Sequence, residues 1–335
     1  MFNLPHVDST TQLATEHIQI DLNGDSLTMY GTTEESVGCV LRGTLRFNPQ
    51  EHMKVKSIHL KFVGKVKING GFDLPRHEYD VIRHKWTFLE ARRDAYLLAP
   101  KDYAYDFELP LKGDLPESID VNSGKIVYKL VATVERPAFH FDMKACRTVE
   151  IKRAPLPSSD DYLQPTMIHG VWLDKFAYQI SSPETTYTVG DQFPVLYSFC
   201  SFEPTFKIRK ISLVLREFIS YSLKGGKPII KCHDLSQASQ VCNEHAWEGS
   251  LNLQIPKGAY CDSECSYIKV VHKVFVEIET EDGNERKTLH LLLRVGVQSD
   301  LQNELSQCPP SYEAMSPYQG IPPPPYAPFN NTICA

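Results

Sequence analysis

Apolar and polar residues alternate along much of this chain, which is the pattern of β-strands rather than helices. Between residues 58 and 68, most even positions are apolar and most odd positions are basic or polar. A period of two predicts a strand with one buried face and one solvated, basic face. The apolar positions are Ile58, Leu60, Phe62, Val66 and Ile68, and the polar positions are His59, Lys61, Lys65 and Lys67.

The same alternation returns in the second half of the chain and ends in a hairpin signal. Alternating runs at residues 268–278 and 289–297 flank the sequence Glu281-Asp282-Gly283-Asn284. An Asp-Gly pair between two alternating runs predicts a β-hairpin. No long stretch repeats at the helical period with caps at both ends. The chain is therefore predicted to be all-β.

A polar stretch with two prolines separates the two sets of predicted strands. Residues 154–161 read Ala-Pro-Leu-Pro-Ser-Ser-Asp-Asp, a composition typical of linkers, and 335 residues suit about two domains. We predict a β-sandwich over 1–154, a linker over 155–162, a second β-sandwich over 163–298 and a disordered tail over 299–335.

The composition is that of an ordinary globular chain, with 42% hydrophobic and 23% charged residues. The net charge of −6 argues against a general nucleic-acid binder. We expect no secretory signal and no spanning helix, because the start lacks a basic segment followed by an apolar core and no run approaches ~18 apolar residues. The nine cysteines are irregularly spaced, which favours reduced thiols in the cytosol.

The pattern Pro-Pro-any-Tyr (PPxY) occurs twice near the C-terminus. Proline fixes φ and removes a backbone donor, so such runs adopt an extended polyproline II helix. A chain already held in that shape loses little entropy when it docks into an aromatic groove. We predict a ligand for WW domains, and the alternative is a proline-rich end that binds nothing. The predicted WW-domain-binding residues are Pro309, Pro310, Tyr312, Pro323, Pro324 and Tyr326.

Two hypotheses about the tail remain open. Tyr312 and Tyr326 are separated by a stretch that spans roughly 20 Å as a flexible chain. The two motifs could therefore engage two WW domains of one ligase, or one motif could be a spare. Phosphorylation of Ser316, which precedes Pro317, would add about two negative charges between the motifs. The alternative is that this single Ser-Pro pair has no regulatory function.

Five lysines, some of them on the polar side of the predicted strand, allow two interpretations. They could form a basic surface that contacts acidic lipid headgroups or acidic cargo segments. Alternatively, they are a solvated strand face that discourages edge pairing. The residues are Lys54, Lys56, Lys61, Lys65 and Lys67.

A group of cysteines with one histidine in the second half raises the question of a metal. Zinc takes four nitrogen or sulfur ligands in a tetrahedron, often from close pairs. Buried free thiols are the alternative that we favour, so we predict no metal and no cofactor. The candidates are Cys232, Cys242, His245, Cys261 and Cys265.

Both halves of the chain resemble arrestins. In the first half, residues 37–45 lead to Val-Lys-Ser-Ile-His-Leu-Lys-Phe-Val-Gly-Lys at 55–65. In the second half, Tyr-Thr-Val-Gly-Asp at 187–191 and the run at 208–215 resemble the arrestin C-domain. The resemblance covers about residues 16–298, and with the PPxY tail it points to the α-arrestins. It implies two arrestin-type immunoglobulin-like β-sandwich domains followed by a disordered proline-rich tail.

Resemblance to α-arrestins implies an adaptor. In that family the tail engages WW domains of a HECT-type ubiquitin ligase, and the arrestin body engages a membrane transporter or receptor for ubiquitination, endocytosis and sorting. The resemblance also implies a cytoplasmic protein that is recruited to the plasma membrane and endosomes. Peripheral membrane association is expected, and a nucleic-acid partner is not. The alternatives are an arrestin-type scaffold without ligase recruitment and a ligand-binding or catalytic sandwich. We expect no enzyme, because no nucleophile elbow, phosphate loop or zinc-protease motif is present.

Overall fold

The computed structural model describes residues 17–24, 26–70, 74–154, 165–223, 226–242, 247–283 and 285–299. Within these ranges all regular structure is β-strand, which confirms the all-β prediction. The strands of the first half are β1 (Ile18–Leu22), β2 (Ser26–Tyr30), β3 (Cys39–Phe47), β4 (Met53–Val55), β5 (Ser57–Gly70), β6 (Leu74–Leu89), β7 (Tyr96–Leu98), β8 (Tyr103–Leu111), β9 (Ile119–Val121), β10 (Gly124–Glu135) and β11 (Met143–Ala154).

The second half, from residue 165 onward, continues with strands of the same kind. They are β12 (Thr166–Trp172), β13 (Phe176–Ser182), β14 (Thr186–Thr188), β15 (Gln192–Ser201), β16 (Phe206–Tyr221), β17 (Ile229–Val241), β18 (Glu248–Gln254), β19 (Ser263–Glu264), β20 (Ile268–Asp282) and β21 (Glu285–Gln298). None of the segments in the described ranges is a helix long and apolar enough to span a bilayer. The predicted linker at 155–162 and the predicted tail lie outside the described residues, so the domain boundaries stay predictions.

Each half contains a small sheet and a large sheet, and the large sheets share one strand order; the first half also has a separate two-stranded sheet of β4 and β7. In the first half the large sheet runs β2-β11-β10-β5-β6 with β9 beside β10, and the small sheet runs β1-β3-β8. In the second half the large sheet runs β14-β21-β20-β16-β17 with β19 beside β20, and the small sheet runs β12-β13-β15-β18. The short strands β2 and β14 each pair in parallel, with β11 and β21 respectively. The two halves are thus similar sandwiches.

The alternation seen in the sequence places the apolar side chains of β5 in the core. Ile58, Leu60 and Phe62 are fully buried, and the Phe62 ring stacks on Tyr128 with centroids 5.9 Å apart. The Tyr128 hydroxyl donates a hydrogen bond to the Pro116 carbonyl at 2.6 Å, which satisfies this buried polar group. The predicted hairpin is confirmed as β20 and β21, which pair from Asp282 and Glu285 outward.

The core of the first half continues into the second half. Ile219, Tyr221 and Ile268 belong to the same buried cluster as Phe62. A Cβ added at Gly124, the first residue of β10, would lie 2.8 Å from Ile268 Cδ1. The absence of a side chain at Gly124 therefore allows the two sandwiches to pack closely, and the chain up to Ser299 forms one compact unit.

Candidate interaction surfaces

The six predicted WW-domain-binding residues lie beyond residue 299, outside the described residues. Their role stays a prediction from the sequence. The described part of the chain instead offers two other features for functional interpretation. One is the outer face of the large sheet in the first half, and the other is a buried charge cluster where the two sandwiches meet.

Three of the five predicted lysines share one face of β5. Lys61, Lys65 and Lys67 alternate with the buried side chains, so they point away from the core. His59 is on the same parity, but it is buried, with only 5% of its surface exposed. The prediction that His59 is solvent-exposed was wrong, because β6 and β10 flank it and Glu135 Oε1 lies 3.8 Å from its Nδ1.

The strands beside β5 add further cations to this face. Directly opposite residues on neighbouring strands share a face, and Lys61 is opposite Lys85 of β6. Two residues after Lys61 on β5, Val63 lies between Arg83 of β6 and Lys129 of β10. We call the resulting surface the basic face, formed by Lys61, Lys65, Lys67, Arg83, Lys85, Lys125, Lys129 and Lys144.

Acidic residues neutralise one edge of the basic face and leave its centre positive. Lys65 forms ion pairs with Glu78 and, at 3.9 Å, with Asp80. Asp80 also pairs with Arg83 at 2.5 Å. Lys61 and Lys85 face each other instead, and both are exposed. Two adjacent like charges repel, so this pair favours an anion in contact with both.

The remaining two lysines lie elsewhere. Lys54 belongs to β4, which pairs with β7 in a separate two-stranded sheet. The backbone N–H of Lys56 donates to the Glu135 carbonyl at 2.7 Å, which places Lys56 beside the end of β10. The five lysines therefore do not form one cluster. The cations that sequence reasoning missed come from β6, β10 and β11, whose alternation was visible but whose register with β5 was not.

A buried charge cluster lies in the second half. His272 of β20 is fully buried, and its Nδ1 lies 2.5 Å from Asp262 Oδ1. Its Nε2 lies 3.4 Å from Oε2 of Glu217, which is also buried. Burial alone would lower the pKa of His272, but the hydrogen bond with Asp262 and the nearby Glu217 carboxylate reverse this, so the pKa is raised. We call these three residues the His272 cluster.

The His272 cluster is connected to the first half through Tyr260. Glu217 Oε2 accepts a hydrogen bond from the Tyr260 backbone N–H at 3.0 Å, and the Tyr260 hydroxyl bonds to Asn122 of the first half. Glu117, also from the first half, hydrogen-bonds Ser263, and burial raises the pKa of the Glu117 carboxyl. Ionisable groups are therefore concentrated where the sandwiches meet. Sequence reasoning missed them because they come from distant segments.

The candidate zinc ligands are spread over different parts of the fold. Cys242 packs in the core of the second half, whereas Cys265 packs in the core shared with the first half. Cys232 is exposed on β17, and His245 lies outside the described residues. Burial raises the pKa of Cys261 to about 11, which keeps it a protonated thiol at neutral pH. The arrangement gives the zinc hypothesis no support.

Comparison with protein-family models finds a match to the C-terminal domain of arrestin (or S-antigen), over residues 172–298. An arrestin domain-containing protein of Schizosaccharomyces pombe is 26% identical over 80% of this chain and 49% of its own length. A HECT-type ubiquitin ligase-interacting protein of Emericella nidulans is 25% identical over 88% of this chain and 92% of its own.

A putative arrestin-related trafficking adapter of Schizosaccharomyces pombe is 25% identical over 53% of this chain and 42% of its own length. The chain spans about half the length of several curated relatives that it matches. The names of these relatives describe adapters and interacting proteins, in agreement with the prediction that the chain is not an enzyme.

Proposed function

Because the chain is an arrestin-domain protein, we propose that it is an adaptor that recruits a WW-domain HECT-type ubiquitin ligase to membrane transporters or receptors. The recruited ligase ubiquitinates this cargo, which then undergoes endocytosis and sorting. The observation that carries the proposal is the combination of two arrestin-type sandwiches with two PPxY motifs in one chain. The names of two relatives, a HECT-type ubiquitin ligase-interacting protein and a trafficking adapter, support it.

The six tail residues have distinct roles in this proposal. Pro309 and Pro310 lie across the aromatic groove of one WW domain, and Tyr312 enters a separate pocket. The second motif repeats this arrangement with Pro323, Pro324 and Tyr326. We place the protein in the cytoplasm, with recruitment to the plasma membrane and endosomes where cargo is present. The alternative function is an arrestin-type scaffold in a signalling or vesicle-sorting complex that recruits no ligase.

The ligase-recruiting step is tested by titrating the full chain with a tandem pair of WW domains from one ligase. Variants Tyr312→Ala, Tyr326→Ala and the double substitution remove one or both tyrosines. We expect the double variant to lose binding. A loss of tenfold or more in each single variant indicates avidity, whereas a loss only in the double variant indicates redundancy. Tyr318→Ala is the matched control, since Tyr318 lies between the motifs and follows a single proline.

The adaptor mechanism is tested separately in cells. Cargo candidates are the proximity-labelled membrane proteins that the wild type and the double tyrosine variant share, and ligases are the partners that the variant loses. We expect ubiquitination and turnover of such cargo to stop in the double variant. Turnover that persists without both motifs would favour the scaffold alternative, even though the fold is unchanged.

The basic face supports a second proposal about how the arrestin body contacts its surroundings. Lys61 and Lys85 are adjacent, exposed cations on a chain whose net charge is −6. Such a local concentration of positive charge attracts anionic lipid headgroups or acidic segments of cargo. We propose that the basic face orients the adaptor toward the membrane that carries the cargo.

A further inference from the structure

Two phenylalanine side chains protrude from the first half into solvent. Phe139 and Phe141 lie in the turn between β10 and β11, and they are 104% and 94% exposed. Large apolar side chains that are fully exposed, adjacent and unprotected are costly in water and mark sites of interaction. We call residues 136–142 the aromatic tip.

The backbone of the aromatic tip holds these rings outward. Phe139 has φ of 74°, a left-handed conformation that is rare for a bulky residue. The turn is closed by Asp142, which accepts a hydrogen bond from the Arg136 N–H at 3.1 Å, and by a bond from the His140 N–H to the Pro137 carbonyl at 3.2 Å. A strained conformation kept by such bonds points to a function for the exposed ring.

The aromatic tip lies at the end of the first half that is remote from the second half. β10 begins at Gly124, against Ile268 of the second sandwich, and its 12 residues lead away from that contact. At ~3.3 Å per residue this strand is roughly 40 Å long. The tip is therefore an exposed turn and not part of the contact between the sandwiches.

Several basic side chains lie at the same end of the first half as the aromatic tip, because Ser57 pairs with Glu135 and Ile58 with Leu89. Lys144 is exposed near the start of β11, and Lys56 lies beside Glu135 at the end of β10. Lys54 is exposed opposite Leu97, whose own side chain is 63% exposed. The turn between β6 and β7 contributes Arg92 and Arg93.

The acidic groups at this end are mostly engaged within the protein. Glu135 accepts a hydrogen bond from the Ser57 hydroxyl at 2.7 Å, and Asp142 accepts one from the Arg136 backbone N–H within the aromatic tip. Glu90 and Asp94 offset the two arginines of the β6–β7 turn. These hydrogen bonds leave Glu135 and Asp142 charged, but Lys54, Lys56, Arg136 and Lys144 outnumber them, so a small excess of positive charge remains at this end.

We propose that the aromatic tip inserts Phe139 and Phe141 into a lipid bilayer with anionic headgroups. Lys54, Lys56 and Lys144 then contact the headgroups around the insertion point. A bilayer fits better than a protein pocket because both rings are fully exposed in a turn and basic side chains lie at the same end of the sheet. Apolar side chains under a cationic surface are the arrangement by which proteins bind the headgroup–acyl boundary. The proposal does not depend on the PPxY motifs.

Vesicle co-sedimentation of the full chain tests the insertion. Vesicles contain phosphatidylcholine alone or with about 30% phosphatidylserine. We expect the wild type to prefer the anionic vesicles, and Phe139→Ala and Phe141→Ala each to weaken binding about tenfold. Val37→Ala is the matched control, because Val37 is 100% exposed in the loop that starts beside Ala154, at the opposite end of β11.

The depth to which the aromatic tip enters the bilayer is measured with the Phe141→Trp variant and brominated lipids. We expect the new tryptophan to shift its emission to shorter wavelength on vesicle binding and to be quenched by bromine on the upper acyl chain. The proposal is overturned if the double alanine variant binds vesicles like the wild type, or if the wild type binds neither vesicle. Both alanine variants should bind the tandem WW domains normally, so failure here is separate from failure of ligase recruitment.

Discussion

The Tyr260 hydroxyl donates a hydrogen bond to Asn122 Oδ1 at 2.9 Å and accepts one from the Asn122 backbone N–H at 3.1 Å. Tyr260 belongs to the second sandwich and Asn122 to the first, so one side chain makes two polar contacts between them. The Tyr260 backbone N–H in turn donates to the buried Glu217. The His272 cluster and the contact between the sandwiches are therefore linked through one residue.

Replacing Tyr260 with phenylalanine removes both contacts and keeps the ring in place. We expect Tyr260→Phe to lower the free energy of unfolding by about 1–2 kcal/mol, since a hydrogen bond contributes about 0.5–1.5 kcal/mol net. Urea unfolding followed by fluorescence measures the change. Tyr103→Phe is the control, because its hydroxyl bonds only to the nearby Ala99 carbonyl at 3.3 Å. Equal effects of the two substitutions would contradict a special role for Tyr260.

Removing the imidazole of His272 should be more costly than removing the Tyr260 hydroxyl. His272→Asn leaves the buried Glu217 without its imidazole neighbour, and removing one member of a buried pair costs about 3–5 kcal/mol. Adding Glu217→Gln removes that uncompensated carboxylate, so we expect the double variant to recover part of the loss. Urea unfolding of both variants checks this. A double variant less stable than His272→Asn would show that the two residues are not coupled in this way.

The stabilisation from His272 should depend on pH in a definite direction. Its pKa in the folded protein is raised above the ordinary histidine value of about 6.5. A raised pKa means that the folded state binds the proton more tightly than the unfolded state. The contribution is therefore complete below pH ~6.5 and is lost as pH rises through the folded pKa.

Measuring the unfolding free energy of wild type and His272→Asn between about pH 6 and 9 tests this sign. We expect the difference between the two proteins to be greatest at the acidic end and to shrink toward the alkaline end. A difference that grows with pH would mean that His272 is neutral in the folded protein.

Much of the fold follows from local sequence pattern, and the strands β5, β20 and β21 show why. Each has apolar residues at every second position, and that period alone decides which face is buried. The turn at Asp282-Gly283 is specified by residues that tolerate its backbone conformation, with φ of 58° at Gly283. These elements needed no information from distant parts of the chain.

The candidate surfaces were less accessible to sequence reasoning because they depend on strand register and on packing between sandwiches. Lys61 and Lys85 are 24 positions apart, and only the register of β5 with β6 makes them neighbours. That register shifts at Gly64 and Lys65 through a bulge, which no simple count of positions reveals. Phe139 and Phe141 alternate like strand residues, and only the structure shows that both lie in an exposed turn.

Gly64 lies at this bulge, directly under an aromatic ring. A Cβ at Gly64 would lie 2.5 Å from Tyr128 Cε1, and the ring cannot move away easily because its hydroxyl is bound to the Pro116 carbonyl. We expect Gly64→Ala to destabilise the protein by about 1–3 kcal/mol through overpacking. Thermal unfolding measures it. Gly258→Ala, whose Cβ would meet nothing within 4 Å, should be nearly neutral, and a similar loss in both would rule out the steric cause.

Reversing charge at the centre of the basic face should weaken binding to anionic vesicles through electrostatics alone. Lys61→Glu with Lys85→Glu replaces two opposed, exposed cations by anions, so we expect weaker binding at low salt and a smaller loss on adding salt. Co-sedimentation from low to about 0.5 M salt measures both effects. Lys227→Glu with Lys257→Glu makes the same change in net charge at exposed positions of the second half and should have little effect. Equal losses in the two double variants would show that net charge matters and that the basic face has no special role.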